Sequence, residues 1–334
     1  MNKKDLRQLL VSNFKPVADV NFADTASATR NALIEYYGLQ GLNSRELRAN
    51  KGLVMALVEE VIDEILPEKL NNRLERFAEV KSYARDEEVI FEIKNKGKRR
   101  AYLTIQKGAK GGMYKAARLD STQMTLNTWI ETVGVYVTLE EILLGKYTLR
   151  DLMNNILEGF EERIYVQVIE ALQSAGGNAP SANVTSSTSM NLESLDSIIR
   201  VISSYGSPMI VGPKSRLGEI TNQASFADAT PNTPVEDLND VRNQGFVGLY
   251  KGTPVVELQN YIVNEETNAE WLLNEDYLFI LPASARPVKV ALKGDLMIRE
   301  ITHATGSMEQ NAEKMLGVGL LLTNNIGVYD FTGN

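Results

Sequence analysis

One stretch in the middle of the chain sets the scale for the rest. Leu149, Met153, Ile156, Phe160 and Ile164 recur at three- and four-residue steps, flanked by Leu152 and Val168. That spacing predicts an amphipathic helix over 149–172. About two dozen residues at ~1.5 Å each make a rod of roughly 36 Å, long for a globular domain. Thr148 is placed to cap it, with Asp151 beside the positive end of the helix dipole. Asp151, Asn155, Glu158 and Glu162 fall on the opposite, polar face. Gly159 weakens the rod locally, and Arg163 and Gln167 intrude on its apolar stripe, so neighbours are expected on more than one side. Just before it, Thr138 and Glu141 have capping-box spacing, and Gly145 can close a short helix. Ser174-Ala-Gly-Gly is expected to end the long one.

The chain has 334 residues, 43% of them hydrophobic, enough for one large core or two medium ones. There is no cysteine, which excludes disulfides and thiolate chemistry. The net charge of −8 makes the whole protein a poor wrapper of nucleic acid, although a local basic patch can still contact it. Apolar runs such as 315–322 are too short to span a bilayer. The first residues lack the apolar core of a signal peptide, so a cytoplasmic protein is expected.

Taken in order, residues 1–50 read as an extended arm with short helices at 5–10 and 26–37. Residues 53–66 form an amphipathic helix, with Val54, Leu57, Val58, Val61, Ile62 and Ile65 against Glu59, Glu60, Asp63 and Glu64. Pro67 is expected to stop it, with 69–83 helical or irregular. From Glu88 the period changes. Val89–Ile93 and Ala101–Ile105 are β-rich and read as a hairpin turning at Gly97. Residues 94–118 hold nine Lys/Arg and no Asp/Glu, the most polarised stretch of an acidic chain. Residues 125–137 alternate as a long strand, with Trp129, Val133, Val135 and Val137 on one face and Glu131 the exception. A separate α/β module is expected over 192–281: a helix at 192–203, a buried strand at 209–211, a helix after Pro213, and strands at 252–256 and 277–281. Strand-like runs follow at 288–301, bending at Gly294, and at 313–323 and 326–331, the last two parted by a turn at Asn324-Asn325.

Residues with catalytic chemistry are scarce. His303 is the only histidine, no G-x-S-x-G accompanies it, and it reads as an ordinary strand-end residue. No Cys/His set or Asp-rich loop marks a metal site. Gly108–Gly112 is not a phosphate loop, because Lys110 is not followed by Ser or Thr. Gly317 and Gly319 sit in an apolar strand pattern and read as close-packing glycines. Three readings of the basic stretch stay open: a solvated hairpin, a nucleic-acid contact, or a ribbon lying across an acidic surface of another copy. The face bearing Asp151, Glu158 and Glu162 offers such a surface, and complementary charge sets register and steers encounter. A long isolated hairpin is marginal in water, which favours docking.

The order of these pieces resembles the major capsid proteins of tailed double-stranded DNA phages, the Hong Kong 97-type shell fold. The likeness runs from about Val80 to the C-terminus. The charged hairpin is similar to that family's extended loop. The strand at 125–137, Thr138-Leu-Glu-Glu and the long helix resemble its peripheral domain and spine helix. Leu195-Asp-Ser-Ile-Ile, Met209-Ile-Val-Gly-Pro-Lys-Ser-Arg-Leu and Gly252-Thr-Pro-Val-Val resemble its axial domain, and 314–331 resembles the return to the peripheral one.

The resemblance implies an α+β fold with an N-terminal arm over 1–82, an extended loop over 83–120, a peripheral domain over 121–176 and 300–334, and an axial domain over 177–299. It implies no enzyme activity, cofactor or metal. The implied partners are further copies of the chain, as hexamers and pentamers of an icosahedral shell, then a portal, with either a separate scaffolding or decoration protein or none. DNA would be enclosed without sequence-specific binding, no membrane would be involved, and the place of action would be the virion after assembly in a host cytoplasm. The interface residues expected are Arg99, Arg100, Lys107, Lys110, Lys115 and Arg118 on the ribbon, with Asp151, Glu158 and Glu162 opposite. Lys107, Lys110 and Lys115 lie where some relatives carry a crosslinking lysine, but nothing marks one as reactive. The alternatives are a cargo-binding protein nanocompartment of the same fold, an enzyme of another kind, or a nucleic-acid-binding module.

Overall fold

The computed structural model describes residues 44–76, 78–94, 121–136, 149–223, 243–262, 266–269, 271–272, 274–283, 286–302, 308–320 and 325–333. Two long helices lie side by side across one face of a four-stranded sheet. The first, α1 (Ser44–Leu74), and the second, α2 (Leu149–Asn178), both outrun their expected ends. Pro67 sits inside α1 rather than after it. Proline deletes one helical N–H, but Ile65, Leu66, Leu70 and Leu74 on both sides of it are buried, and that packing outweighs the local cost. In α2 the helix runs through Gly176 and Gly177. Ala175 is buried, Gly176 lies against Val328, and Asn178 Nδ2 donates to the Ser174 carbonyl at 3.2 Å.

The four-stranded sheet has the order β1 (Ala78–Tyr83), β10 (Val288–Thr302), β11 (Met308–Leu320), β4 (Trp129–Tyr136). The strand β1 falls in a stretch expected to be helical or irregular. It pairs parallel to β10, Ala78 opposite Val288. Even-numbered Val288, Val290 and Leu292 face the helices with Ala312 and Leu316 of β11, as the two-residue period of a strand requires. The expected bend at Gly294 is present: its φ is +68°, and the β10–β11 register shifts between Lys293 and Met297.

A two-stranded ribbon stands on the other face of this sheet. Its strands are β2 (Ile90–Lys94) and β3 (Ser121–Thr125), Ile90 opposite Thr125. The partner of β2 is therefore Ser121–Thr125 and not Ala101–Ile105, as a hairpin turning at Gly97 would require. Most of the basic stretch, 95–118, lies outside the described residues, as do residues 1–43, the short helix at 138–145 and His303. The strand expected over 125–137 is broken at 126–128, where the chain crosses β11. A Cβ on Gly317 would stand 2.7 Å from the Asn127 carbonyl oxygen, and one on Gly319 would stand 2.4 Å from Leu126 Cδ1. Gly317→Val is expected to cost about 1–3 kcal/mol, as overpacking against backbone does, read as a lower urea midpoint.

The α/β part is a six-stranded sheet in the order β5 (Val184–Ser186), β12 (Gly327–Asp330), β9 (Tyr277–Pro282), β6 (Pro208–Gly212), β8 (Thr253–Glu257), β7 (Leu249–Tyr250). Helices α3 (Leu192–Ile202) and α4 (Lys214–Gln223) belong to it, and the Asn191 side chain caps α3. Two expectations change here. The strand β12 pairs with β9 and β5, not with the sheet of β10 and β11. Nor is this module separate. Met209, Val211, Phe279, Leu281 and Val328 join the core around α2, while Ile210, Leu278, Ile280 and Tyr329 face the second core with α3.

Candidate assembly interface

The ribbon leaves the body from a fixed socket. Phe91 is buried with Val89 and Ala291, and Tyr83 and Leu126 pack around them. Tyr83 meets the Phe91 ring edge-on at 5.9 Å, and its hydroxyl donates to the Ile90 carbonyl at 3.0 Å. On the far side Leu126 N donates to the Val89 carbonyl at 3.0 Å. The ammonium groups of Lys81 and Lys289 stand 5.1 and 6.0 Å from the Phe91 ring centre, and Glu79 pairs with both. Phe91→Ala is expected to cost about 3–5 kcal/mol and to speed amide exchange at Leu126, whose N–H donates to the Val89 carbonyl.

Burial pushes the Glu79 carboxyl up, but the hydrogen bonds from Lys289 and Lys81 outweigh it, and the net shift is downward. A depressed carboxyl contributes stability above its unfolded pKa, and that contribution fades as pH falls through the folded one. Glu79→Gln is therefore expected to flatten this part of the acid limb of a stability-versus-pH curve.

A second tie holds the same region from below. Beyond Lys293 the strand β10 has no β1 partner, and its register with β11 shifts; two carboxylates of α1 accept backbone N–H groups there. Asp63 Oδ2 takes Leu296 N at 2.9 Å and Glu59 Oε1 takes Ile298 N at 2.6 Å. Asp63 Oδ1 also holds Lys314 Nζ at 2.6 Å, and that ammonium donates to the Gly294 carbonyl at 2.5 Å. Lys314 is only 6% exposed. Gly294 in turn abuts Arg85 in the turn between β1 and β2, so clamp and ribbon root are mechanically continuous.

The irregularities of the central helix resolve together. Arg163 and Gln167, which intrude on its apolar stripe, reach Glu131, the charge that interrupts β4. One Glu131 oxygen accepts from Arg163 Nε at 3.3 Å, Gln167 Nε2 at 2.5 Å and Trp129 Nε1 at 2.8 Å. Gly159 lets α2 approach: a Cβ there would stand 2.8 Å from Val133 Cγ1. The opposite face of α2 is acidic, with Asp151, Glu158, Glu162 and Glu170 exposed. The ribbon residues expected to meet it, Arg99, Arg100, Lys107, Lys110, Lys115 and Arg118, lie outside the described residues.

Among the described residues no group of three or more His, Asp or Glu side chains is placed to hold a metal ion, and no helix is long and apolar enough to cross a membrane. The sequence reading passed over Asp63, Glu59 and Lys314. Glu59 and Asp63 fall opposite the apolar row of α1, where helical spacing alone gives them no partner. The available signal was Lys314, a lone charge on the inward row of β11 between Ala312 and Leu316.

Paired helices across a four-stranded sheet, a ribbon rooted on its far face and a six-stranded α/β lobe make this the Hong Kong 97-type capsid fold. Two solved structures share it. The satellite phage P4 procapsid including size determination (Sid) protein has a TM-score of 0.53 at 9% identity, covering 86% of this chain and 98% of that one. The bacteriophage PhiM1 mature capsid has a TM-score of 0.52 at 9% identity, covering 78% and 87%. No curated protein matches in sequence. A family model described as "YonB: SPbeta prophage-derived putative capsid protein YonB" matches residues 27–330, and the chain belongs to that family. It is a major capsid protein, a structural component of the virion that forms a shell from its own copies and is not an enzyme.

Proposed function

We propose that this chain builds an icosahedral shell of hexamers and pentamers around phage genomic DNA. The observation that carries the reading is a charge contrast on a rigid frame. The sequence over 94–118 holds nine basic residues and lies between β2 and β3, which leave the body at the Phe91 socket, and the exposed back of α2 carries Asp151, Glu158 and Glu162. Each ribbon lies across the α2 face of a neighbouring copy, so Arg99, Arg100, Lys107, Lys110, Lys115 and Arg118 meet its acidic row. Each contact is weak, and their sum over the shell is not.

The four-stranded sheet with α2 serves as the peripheral domain and the six-stranded sheet as the axial one. The net charge of −8 suits a wall that encloses DNA without gripping it. Assembly takes place in the host cytoplasm, with a portal at one vertex and a separate scaffolding or decoration protein. Electron microscopy of purified particles, with nuclease treatment before extraction, tests this. Closed shells holding protected DNA are expected. Shells holding a cargo enzyme and no DNA would replace this reading with that of a nanocompartment.

A further inference from the structure

Among the described residues, three of the four edges of the two larger sheets are guarded against strand addition, and one is not. Open edges invite pairing with another chain, and proteins blunt them with charge, brevity, proline or bulges. In the six-stranded sheet the edge strands β5 and β7 have three and two residues. In the four-stranded sheet β1 carries Glu79 and an exposed Lys81, paired at 2.9 Å. The other edge, β4, reads Trp-Ile-Glu-Thr-Val-Gly-Val-Tyr over eight residues. It has no Lys and no Pro, and its register with β11 runs unbroken from Trp129 to Tyr136. Its single charge, Glu131, is drawn inward by Trp129, Arg163 and Gln167. What remains on the outward row is uncharged: Ile130 is 58% exposed, and Thr132 and Gly134 are exposed with it. Among the described residues no strand pairs with this outer edge.

We propose that β4 is a strand-addition edge, pairing antiparallel about a two-fold axis with β4 of a second copy in the assembled shell. The occupant follows from three observations. The shell consists of copies of this chain. The edge bears no outward charge, so two identical edges meet without like-charge repulsion. Antiparallel self-pairing about a two-fold axis is isologous, so each edge satisfies the other and the contact closes on itself. One strand pair buries less than the roughly 1,200 Å² of a stable complex, so the contact belongs to the shell and the free subunit is not held as a dimer by it. The inference rests on the chain being a shell protein but not on where its ribbon docks.

The test uses the absence of native cysteine. Cysteines replacing Ile130, Thr132 and Gly134, singly and in pairs, cover the outward row of β4. Every antiparallel register centred on that row opposes two of them. Mild oxidation of assembled particles is expected to give a disulfide-linked dimer, and amides of β4 are expected to exchange at least tenfold more slowly in shells than in free subunits. Ile130→Lys is expected to leave the subunit folded and to abolish closed shells. Slow exchange without any disulfide dimer would overturn self-pairing. So would normal shells from Ile130→Lys. The outcome is separable from ribbon docking, because a charge-reversed ribbon alters neither the β4 sequence nor its edge.

Discussion

Asp63→Ala is expected to cost the free subunit up to about 3–5 kcal/mol, the loss when the partner of a buried charge is removed, because Lys314 is buried although Asp63 is 22% exposed. The alanine leaves the Lys314 ammonium, 6% exposed, with only the Gly294 carbonyl, and strips Leu296 N–H of its acceptor. Urea unfolding followed by circular dichroism reads the loss directly. Asp63→Leu combined with Lys314→Met separates the two contributions. Replacing both charges with apolar groups of similar size is often close to neutral, so most of the loss should return. A residue of about 1–3 kcal/mol should persist for the orphaned Leu296 amide. If Asp63→Ala unfolds at the wild-type midpoint, α1 does not clamp β10 as described.

The second large effect is on assembly. Reversing Arg99, Arg100, Lys107 and Lys110 to Glu changes the ribbon charge by eight units and places like charges opposite Glu158 and Glu162 of the neighbour. Subunits are expected to fold with an unchanged far-ultraviolet spectrum and to sediment as small species, with no closed shells by electron microscopy. Restoring shells by also changing Glu158 and Glu162 to Lys would identify the opposing surface, since complementary charge sets register and partner choice. Normal particles from the first variant would remove the ribbon from the assembly mechanism.

The parts of this fold legible in the sequence are those set by local periodicity. The apolar stripe of α2, the alternation in β4, Pro213 ahead of α4 and the bend at Gly294 all depend on neighbours a few residues away. Helix ends were less legible, because burial of Leu70 and Leu74 carries α1 past Pro67. Strand pairing was least legible. β1 finds β10 across some two hundred residues, and β2 takes β3 in place of the nearer β-rich run.

The candidate interface divides the same way. The polar back of α2 could be read from helical spacing alone. The ribbon root could not, because Phe91 is held by Ala291 and Lys289 from the far end of the chain. Exceptions were more informative than rules. Glu131, Arg163 and Gln167 each violate an apolar pattern, and they violate it at one another. A search of the sequence for mutually compensating misfits would have found that contact.

The most direct measurement is zero-length crosslinking of lysine to carboxylate in shells assembled from equal parts of isotopically light and heavy subunits. Links joining Lys107 or Lys110 to Glu158 or Glu162 are expected as mixed light–heavy pairs, and they should vanish on dissociation. The same links formed only within single chains, and equally in dissociated subunits, would mean that each subunit folds its ribbon onto itself. That result would contradict assembly by exchange of ribbons between copies.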